Sequence, residues 1–232
     1  LVSQVFKGVD MKVLVTGGAG FIGSCLVYKL NSVGISDIVM CDNLGKSEKW
    51  KNLVNKKYND YIDKTKLFEE LAKIKTAKYF DLILHMGACS STTETDAAYM
   101  MENNFVFSKR LAEWALKKKA RFIYASSAAT YGSGENGYDD ADPVSLKLKP
   151  LNVYGYSKQL FDEWVINNKL NKKFTGFKFF NVFGPNEYHK QDMRSVICKV
   201  FPIVKSGQPM RLFKSYNSNY KDGQQQRDFV YI

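Results

Sequence analysis

The stretch that decides the fold is Lys12-Val13-Leu14-Val15-Thr16-Gly17-Gly18-Ala19-Gly20-Phe21-Ile22-Gly23. Its first five residues form a short apolar run, and apolar side chains then recur at helical spacing over residues 21–30. Because the run does not alternate between apolar and polar residues, it is typical of a strand buried on both faces. The stretch therefore predicts a strand, a glycine-rich turn and a helix in direct succession.

The glycines of this turn are spaced Gly-x-x-Gly-x-x-Gly, and each has its own role. Gly17 permits the tight turn, Gly20 lets the backbone approach a pyrophosphate, and Gly23 lets the helix pack closely on the sheet. The helix N-terminus presents N–H groups to the phosphates. Asp42 ends the next strand, about 20 residues beyond, where a carboxylate can bond a ribose hydroxyl. This context predicts a dinucleotide site rather than a purely structural turn.

Strands and helices alternate along the rest of the chain. Further short apolar runs predict strands at residues 38–41, 82–86, 122–125 and 174–180. Helical patterns are expected from near Asp96 and over residues 156–168. Repeated βα units predict an α/β fold with a doubly wound parallel sheet of the Rossmann type.

Two domains are predicted. Residues 11–180 form the NAD(P)-binding Rossmann domain, including the helix that carries a Tyr-x-x-x-Lys motif. Residues 181–232 are the start of a smaller substrate-binding region. Because the sequence stops on an apolar run, residues 228–232, with no turn or polar tail after it, we expect this region to be truncated.

The long helical stretch after Asp96 has a predicted inward face and a predicted exposed end. Residues 117–119 are three lysines, which predict a solvated last turn that complements the helix dipole. The residues expected to face inward are Ala97, Met101, Phe105, Leu111, Ala112, Trp114 and Ala115.

Composition and charge exclude several classes of protein. The chain has 232 residues, of which 45% are hydrophobic and 25% charged, so it is neither disordered nor fibrous. Residues 1–10 do not resemble a signal peptide, and no later stretch is apolar for long enough to span a bilayer. We therefore predict a cytoplasmic protein with no membrane partner.

The net charge of +11 does not by itself indicate a nucleic-acid partner. The lysines are spread along the chain rather than gathered on one arm or helix face, so a generally basic surface that suits an anionic substrate is expected instead. The four cysteines are widely spaced, with no Cys-x-x-Cys pair and no suitably placed histidine. They are expected to be reduced thiols, and no metal site is predicted.

A second motif carries the chemistry. In Tyr154-Gly155-Tyr156-Ser157-Lys158 the first tyrosine and the lysine lie four residues apart, on one helical face. The ammonium of Lys158 can lower the pKa of the Tyr154 phenol and hold a nicotinamide ribose, while the phenol exchanges a proton with a substrate hydroxyl. Ser127, at the end of the preceding strand, would bind the same oxygen. These residues predict hydride-transfer chemistry with Tyr154 as the proton donor and acceptor.

The choice between NAD and NADP stays open from the residues alone. Asp42 favours NAD, because its carboxylate would repel a 2′-phosphate. Asn43, Lys46, Lys49 and Lys64 could neutralise such a phosphate, although they are equally well read as exposed side chains.

With these motifs the chain resembles the extended short-chain dehydrogenase/reductase family, and more narrowly its nucleotide-sugar epimerases that act at C6 of ADP-heptose. The Cys89-Ser90-Ser91-Thr92-Thr93 run and the His189-Lys190 pair separate this branch from its relatives best. The stretches that carry the resemblance are residues 87–94, 99–101, 125–132, 150–158, 180–185, 189–190 and 227–231.

The resemblance implies a mechanism and an assembly. Bound NADP takes a hydride from C6 of the heptose and returns it to the opposite face, with Tyr154 and Lys190 as the two acid/base groups. From its chemistry alone, Lys190 then needs burial or a cationic neighbour that makes it neutral part of the time. The resemblance also implies a homo-oligomer, with a pentamer as the expected assembly, and a place in synthesis of lipopolysaccharide inner-core precursors.

The resemblance further implies two sets of binding residues. Met86, Asp192 and Lys199 within these sets depart from the family's usual residues. Together with the glycines of the turn, the expected cofactor contacts are Phe21, Ile22, Asp42, Asn43, Lys49, Lys64, Met86, Gly87, Ala88, Cys89, Ser90, Asn103, Lys158 and Val182. The expected substrate contacts are Asn181, Asp192, Lys199, Phe213, Lys214, Ser215, Tyr216 and Arg227.

Two alternatives remain from the sequence. One is another nucleotide-sugar epimerase or dehydratase of the same superfamily. The other is a non-catalytic protein that senses a dinucleotide or associates with RNA. The combination of Ser127, Tyr154 and Lys158 argues against the second, because a sensor has no need of proton-transfer groups.

Overall fold

The computed structural model describes residues 10–216 and 218–232. Residues 1–9 lie outside the described residues, so the structure says nothing about the expectation that residues 1–10 are not a signal peptide. Within the described ranges, no helix combines the length and apolar character needed to cross a bilayer.

A six-stranded sheet forms the centre of the molecule. Its strands run in the order β3-β2-β1-β4-β5-β6, and every neighbouring pair is parallel. The predicted doubly wound sheet is therefore confirmed. The strands are β1 (Val13–Thr16), β2 (Ile38–Asp42), β3 (Asp60–Asp63), β4 (Leu82–His85), β5 (Arg121–Ser127) and β6 (Phe174–Phe179).

Helices cover both faces of the sheet, because alternate residues of each strand point to opposite sides. Val13 and Val15 pack with Val27 on one face. Leu14 belongs to the cluster on the other face, with Leu111. The α-helices are α1 (Phe21–Ser32), α2 (Leu67–Lys73), α3 (Ala97–Met100), α4 (Phe107–Lys117), α5 (Asp142–Ser145), α6 (Val153–Asn167) and α7 (Val196–Lys205).

Strand β3 is the part of the sheet that the sequence did not predict. Its residues read Asp-Tyr-Ile-Asp, and they are exposed or only partly buried. A strand at the edge of a sheet needs no continuous apolar run, so the signal that revealed the other strands is missing here.

The chain winds outward from β1 to β3 in one direction and from β4 to β6 in the other. The connections that leave the carboxyl ends of β1 and β4 therefore diverge and open a crevice between them, which is where open α/β sheets bind ligands. The glycine-rich turn follows β1 and the 87–93 loop follows β4.

The helix expected near Asp96 begins there, but it is not uniformly α-helical. The Asp96 carboxylate caps α3 by accepting a hydrogen bond of 2.9 Å from the Tyr99 N–H. Residues Met101–Val106 then form a π-helical segment that leads into α4. A π-helical turn holds more residues than an α-helical turn and so shifts the phase of the helix.

This phase shift corrects part of the predicted inward face. Ala97 is exposed, and Met101 and Phe105 are only partly buried, whereas Asn103 and Asn104 are buried. After the π-helical segment the predicted phase is right: Leu111, Ala112 and Ala115 are fully buried, and Trp114 is partly buried.

Lys118 also differs from its predicted role in a solvated turn. It is only 7% exposed, and its Nζ donates hydrogen bonds to the carbonyl oxygens of Ile74 (2.8 Å) and Thr76 (2.5 Å). The lysine therefore satisfies carbonyl groups just after α2, while Lys117 and Lys119 are exposed as expected.

The C-terminal part of the chain adds a second, two-stranded sheet. Strand β7 (Asn181–Phe183) pairs in parallel with β8 (Phe229–Tyr231). Both strands lie within residues 181–232, and the assignment of this region to a separate substrate-binding domain stays a prediction.

Candidate functional site

A cleft of about 760 Å³ lies at the carboxyl ends of β1, β4 and β5. The four predicted catalytic residues, Ser127, Tyr154, Lys158 and Lys190, all line it. The predicted cofactor residues line it as well, from the glycine turn through Asp42, Lys64 and the 86–90 segment to Val182. The structure therefore brings together residues that are up to 173 positions apart, from Gly17 to Lys190 (190 − 17 = 173).

The glycine turn excludes a side chain at Gly17 and at Gly23. Gly17 has a φ of +67°, and its N–H donates to the Cys41 carbonyl oxygen at 2.7 Å. A Cβ at Gly23 would lie 2.1 Å from the Gly17 carbonyl oxygen, whereas a Cβ at Gly20 would lie 3.1 Å from the same atom. Gly17 therefore makes the turn and Gly23 allows α1 to approach it closely, as predicted.

The N-terminus of α1 faces the cleft through Gly20, Phe21, Ile22 and Gly23. The N-cap residue is Gly20, which has no side chain to bond the first N–H groups of the helix. These N–H groups have no intrahelical acceptor, so a helix of twelve residues that starts here offers an anion cradle. The site thus fits the pyrophosphate of a dinucleotide.

Asp42 accepts hydrogen bonds from three groups of the protein. Its Oδ2 accepts a hydrogen bond from the Ala19 N–H at 2.9 Å, and its Oδ1 accepts from the Asn43 N–H at 2.7 Å. The Lys49 ammonium pairs with Oδ1 at 2.6 Å, and the Asp42 side chain is only 7% exposed. The carboxylate therefore braces the turn and carries a counter-charge, in addition to the ribose contact expected of it.

In the π-helical segment the side chains of two consecutive asparagines, Asn103 and Asn104, point toward the interior of the protein. Asn103 accepts a hydrogen bond from the Lys64 Nζ and lines the cleft. The Asn104 Oδ1 accepts from the Cys89 N–H at 2.8 Å, and its Nδ2 donates to the Cys89 carbonyl at 3.0 Å and to the Ser157 hydroxyl at 3.0 Å. Asn104, which was not predicted, therefore ties the 87–93 loop to helix α6.

Helix α6 begins at Val153 and so places Tyr154 in its first turn, earlier than predicted. The Asn152 side chain caps the helix by accepting from the Gly155 N–H at 2.8 Å. A Cβ at Gly155 would lie 2.7 Å from the Ala129 carbonyl oxygen, so this glycine lets the helix approach the loop after Ser127. The close approach brings Tyr154 and Ser127 to the same cleft.

The charge states of Tyr154 and Lys158 are set mainly by burial. Burial raises the pKa of the Tyr154 phenol, and a hydrogen bond with Ser127 opposes the rise. Burial lowers the pKa of Lys158 to about 8, and the nearby Asp162 carboxylate opposes that fall. The Lys158 Nζ donates to the Ala125 carbonyl at 2.8 Å. The expectation that Lys158 brings the phenol pKa below its usual value is therefore wrong for this structure, because desolvation dominates.

Lys190 enters the cleft from the 3₁₀ turn Tyr188–Met193. Its ammonium lies 5.5 Å from the centre of the Phe21 ring, and burial lowers its pKa although Glu187 opposes this. A role as a base requires burial or a cationic neighbour of Lys190, and the structure provides the burial.

Asn52 connects the Lys190 segment to the glycine turn. Its Nδ2 donates to the carbonyl oxygens of Ala19 (3.0 Å) and Asn186 (3.2 Å), and lies 3.3 Å from the His189 Nδ1. Sequence reasoning missed this bridge, because Asn52 sits in a polar 3₁₀ turn with no recognisable motif.

A buried polar chain beneath the cleft was also missed. The His85 ring bonds the Thr16 hydroxyl at 2.6 Å through Nδ1 and the Ser108 hydroxyl at 2.7 Å through Nε2. Burial lowers the pKa of His85 to about 3, so the ring is neutral. A polar residue at the end of each buried strand was the only available signal for this network.

The predicted substrate residues are mostly outside the cleft. Asn181 lines it, whereas the other members of the set do not. Phe213 is 70% and Tyr216 is 96% exposed. Asp192, Lys199, Lys214 and Arg227 are also exposed, and Ser215 is partly buried.

The cysteine thiols are free, as expected. Cys41 is buried, and Cys25, Cys89 and Cys198 are partly buried. Over residues 10–216 and 218–232, no group of three or more His, Cys, Asp or Glu side chains could hold a metal ion.

Several known proteins are similar to this chain. An ADP-L-glycero-D-manno-heptose-6-epimerase of Nitratidesulfovibrio vulgaris is 54% identical over 219 residues, which are 94% of this chain and 68% of that protein. A protein of the same name from Fusobacterium nucleatum is 51% identical over 223 residues, or 95% of this chain and 67% of that protein. The crystal structure of the Helicobacter pylori enzyme of that name matches with a TM-score of 0.80 and 31% identity, over 96% of this chain and 69% of that one.

Residues 13–232 match the family described as NAD dependent epimerase/dehydratase. The family name supports a nicotinamide dinucleotide as the cofactor, which agrees with the glycine turn and the anion cradle at α1. The family resemblance drawn from the sequence motifs is thus confirmed. This chain belongs to the NAD dependent epimerase/dehydratase family.

Proposed function

We propose that this protein inverts C6 of ADP-D-glycero-D-manno-heptose to give the L-glycero epimer, using bound NADP. The observation that carries the proposal is that Tyr154 and Lys190 line one cleft from two separate elements, helix α6 and the 188–193 turn. An inversion needs proton-transfer groups for both configurations of the carbon, and this cleft offers two. The names of the relatives at 54% and 51% identity support the choice of sugar.

The residues on the Tyr154 side handle a proton at the C6 oxygen. The phenol of Tyr154 accepts or donates this proton, and the Ser127 hydroxyl bonds the same oxygen as charge develops. Because burial raises the pKa of Tyr154, the phenol stays protonated at neutral pH and is ready to act as an acid. Lys158, one helical turn after Tyr154 and with a pKa of about 8, provides the ammonium that would hold the nicotinamide ribose.

When bound, the nicotinamide ring supplies the hydride chemistry, taking the C6 hydride and giving it back. Loss of a hydride from C6 and a proton from its oxygen turns the alcohol into a ketone. Return of the hydride to the opposite face of C6 and of a proton to the oxygen gives the epimer, so no external oxidant is needed. Lys190 serves the second configuration, because burial lowers its pKa and so favours the neutral amine that can accept a proton.

The preference for NADP over NAD rests on the charges around Asp42. Both oxygens of this carboxylate already accept hydrogen bonds from the protein, and Lys49 neutralises its charge. Lys64 and Asn43 line the same end of the cleft. A 2′-phosphate would therefore meet two ammonium groups rather than a free carboxylate.

The remaining parts of the proposal rest on the resemblance. Residues 181–232 supply part of the substrate site, with Asn181 already at the cleft and Phe213–Tyr216 and Arg227 closing over the ADP-sugar. The protein is a cytoplasmic homo-oligomer, for which the resemblance implies a pentamer, and it contributes to lipopolysaccharide inner-core precursors.

Proton NMR of ADP-D-glycero-D-manno-heptose incubated with the protein tests the proposal. Appearance of the L-glycero epimer without added cofactor, together with severe slowing by Tyr154→Phe, is the expected result. A sugar that stays unchanged while the protein binds NADP would refute the substrate assignment. Turnover of a UDP- or GDP-sugar instead would identify another nucleotide-sugar epimerase or dehydratase.

A further inference from the structure

Helix α6 carries a third polar residue in line with its two reactive ones. Tyr154, Lys158 and Asp162 follow at intervals of four residues and so lie on one face of the helix, a turn apart. Asp162 is 4% exposed and does not line the cleft. Burial of an ionised carboxylate is unfavourable unless hydrogen-bond donors or a cation compensate for the lost solvation.

Those partners come from the strands that build the catalytic centre. The Asp162 Oδ1 accepts from the Tyr124 hydroxyl at 2.9 Å, and its Oδ2 accepts from the Ser126 hydroxyl at 2.6 Å. Both residues belong to β5, whose last residue is Ser127. The Lys178 ammonium of β6 pairs with Oδ2 at 2.5 Å, with its side chain 11% exposed.

The same cluster reaches the loop that follows Ser127. The Lys178 Nζ also donates to the Thr130 hydroxyl at 3.0 Å, and that hydroxyl donates to the Ser127 carbonyl at 2.8 Å. A continuous set of hydrogen bonds thus joins helix α6, strand β5, strand β6 and the Ser127 loop. Each of these elements contributes a residue to the cleft.

We propose that Asp162, held by Tyr124, Ser126 and Lys178, is the positioning residue that sets Ser127 and Lys158 relative to one another and supplies the negative charge that keeps Lys158 an ammonium. This inference rests on the proposed role of Lys158 in the reaction. Lys158 is buried, and its Nζ has a neutral carbonyl oxygen, that of Ala125, as its hydrogen-bond partner. The charge that stabilises its ammonium must therefore come from a neighbour.

The charged and titratable groups around Lys158 support this assignment. From its own helix come Tyr154, whose raised pKa keeps it neutral, and Asp162. From β4 comes His85, which is neutral because burial lowers its pKa to about 3. Tyr124 of β5 faces Asp162, and burial raises its pKa, so it too is neutral. Asp162 and its partner Lys178 are thus the charged groups of this cluster that bear on Lys158.

The test measures the titration of Lys158 itself, by heteronuclear NMR of protein labelled in its lysine side chains, with the signal assigned by loss in Lys158→Met. The wild-type signal should titrate near the pKa of about 8 that burial imposes. In Asp162→Asn the midpoint should fall by about one pH unit or more, because an opposite charge is lost. Tyr124→Phe removes one hydrogen bond and no charge, so it should leave the midpoint unchanged.

A second variant keeps the test decisive if Asp162→Asn alone does not fold. Asp162→Asn leaves Lys178 buried without its partner, whereas Asp162→Asn combined with Lys178→Met removes both charges and should still lower the midpoint. Asp162→Glu keeps the charge but lengthens the side chain, so it should retain the midpoint and lose turnover. If the folded Asp162→Asn or double variant titrates as the wild type does, the proposal is overturned and Asp162 only neutralises Lys178.

The titration is independent of the sugar. If wild-type protein turns over no ADP-heptose but Asp162→Asn still shifts the Lys158 midpoint, the proposed function fails and the positioning role stands. If turnover occurs, its alkaline limit should move to lower pH in Asp162→Asn together with the NMR midpoint.

Discussion

Substitution of Gly23 by alanine should destabilise the protein, because the added methyl group would clash with a backbone carbonyl oxygen. The new Cβ would lie 2.1 Å from the Gly17 oxygen and 2.8 Å from the Gly17 carbonyl carbon. Both partners belong to the backbone, so neither a rotamer change nor a side-chain shift can relieve the contact. Overpacking of this kind costs about 3 kcal/mol, at the upper end of the usual range. Alanine regains about 1 kcal/mol through its higher helix propensity.

The net loss is therefore about 2 kcal/mol, which for a chain of this size lowers the Tm by about 4–8 °C. Gly20→Ala is the matched control, because its Cβ would meet the same oxygen at 3.1 Å. That contact needs a shift of only a few tenths of an ångström, so the Tm should fall by less than about 4 °C. The methyl group would instead stand where the backbone meets the pyrophosphate, and should weaken dinucleotide binding about tenfold or more.

Thermal unfolding followed by circular dichroism, and dinucleotide affinity from fluorescence titration, measure the two effects separately. A Gly23→Ala protein that melts at the wild-type temperature would refute the packing argument. A Gly20→Ala protein that melts as low as Gly23→Ala, with unchanged affinity, would show that the two glycines do not have separate roles.

Three further substitutions test other contacts. Lys118→Met leaves two carbonyl oxygens without their donor and should cost about 1–3 kcal/mol in urea unfolding, whereas Lys117→Met should change stability by less than about 0.5 kcal/mol. Lys64→Met should weaken NADP binding about tenfold or more and leave NAD binding nearly unchanged, and equal losses for both cofactors would contradict the proposed 2′-phosphate contact. Asn52→Ala removes the hydrogen bonds that hold the Lys190 segment against the glycine turn. Because Lys190 would then be less well positioned, turnover should fall about tenfold to a hundredfold while NADP affinity changes little. A loss confined to NADP affinity would assign Asn52 to the cofactor instead.

The sequence predicted those parts of the molecule that depend on short local patterns. The strand, turn and helix around Gly17 need a glycine at fixed offsets, and Tyr154 and Lys158 need only a helical spacing of four. Both patterns are contiguous in the chain, so they can be recognised without knowledge of the fold. The buried strands were found for the same reason, because each is a short apolar run.

The parts that were missed depend on contacts between distant segments. The partners of Asn52 lie 33 and 134 residues away, and Asn104 bonds Ser157 at a separation of 53 residues. The inward face before residue 107 was predicted with a uniform helical period, which the π-helical segment breaks. Edge strand β3 carries two aspartates and no apolar run, so it gave no signal.

The extra residue in the π-helical segment has a consequence for how this site can change. In a regular helix two neighbouring residues point about 100° apart, and a π-helical turn, which holds more residues, narrows this angle. Here Asn103 and Asn104 are both turned inward: Asn103 lines the cleft and bonds Lys64, whereas Asn104 bonds the Cys89 backbone and Ser157. If Asn103 contacts the cofactor as proposed, it can be exchanged to suit a different ligand while Asn104 keeps the 87–93 loop attached to α6. The proposed ligand contact and the structural contact are therefore made by two different residues, so one can change without the other.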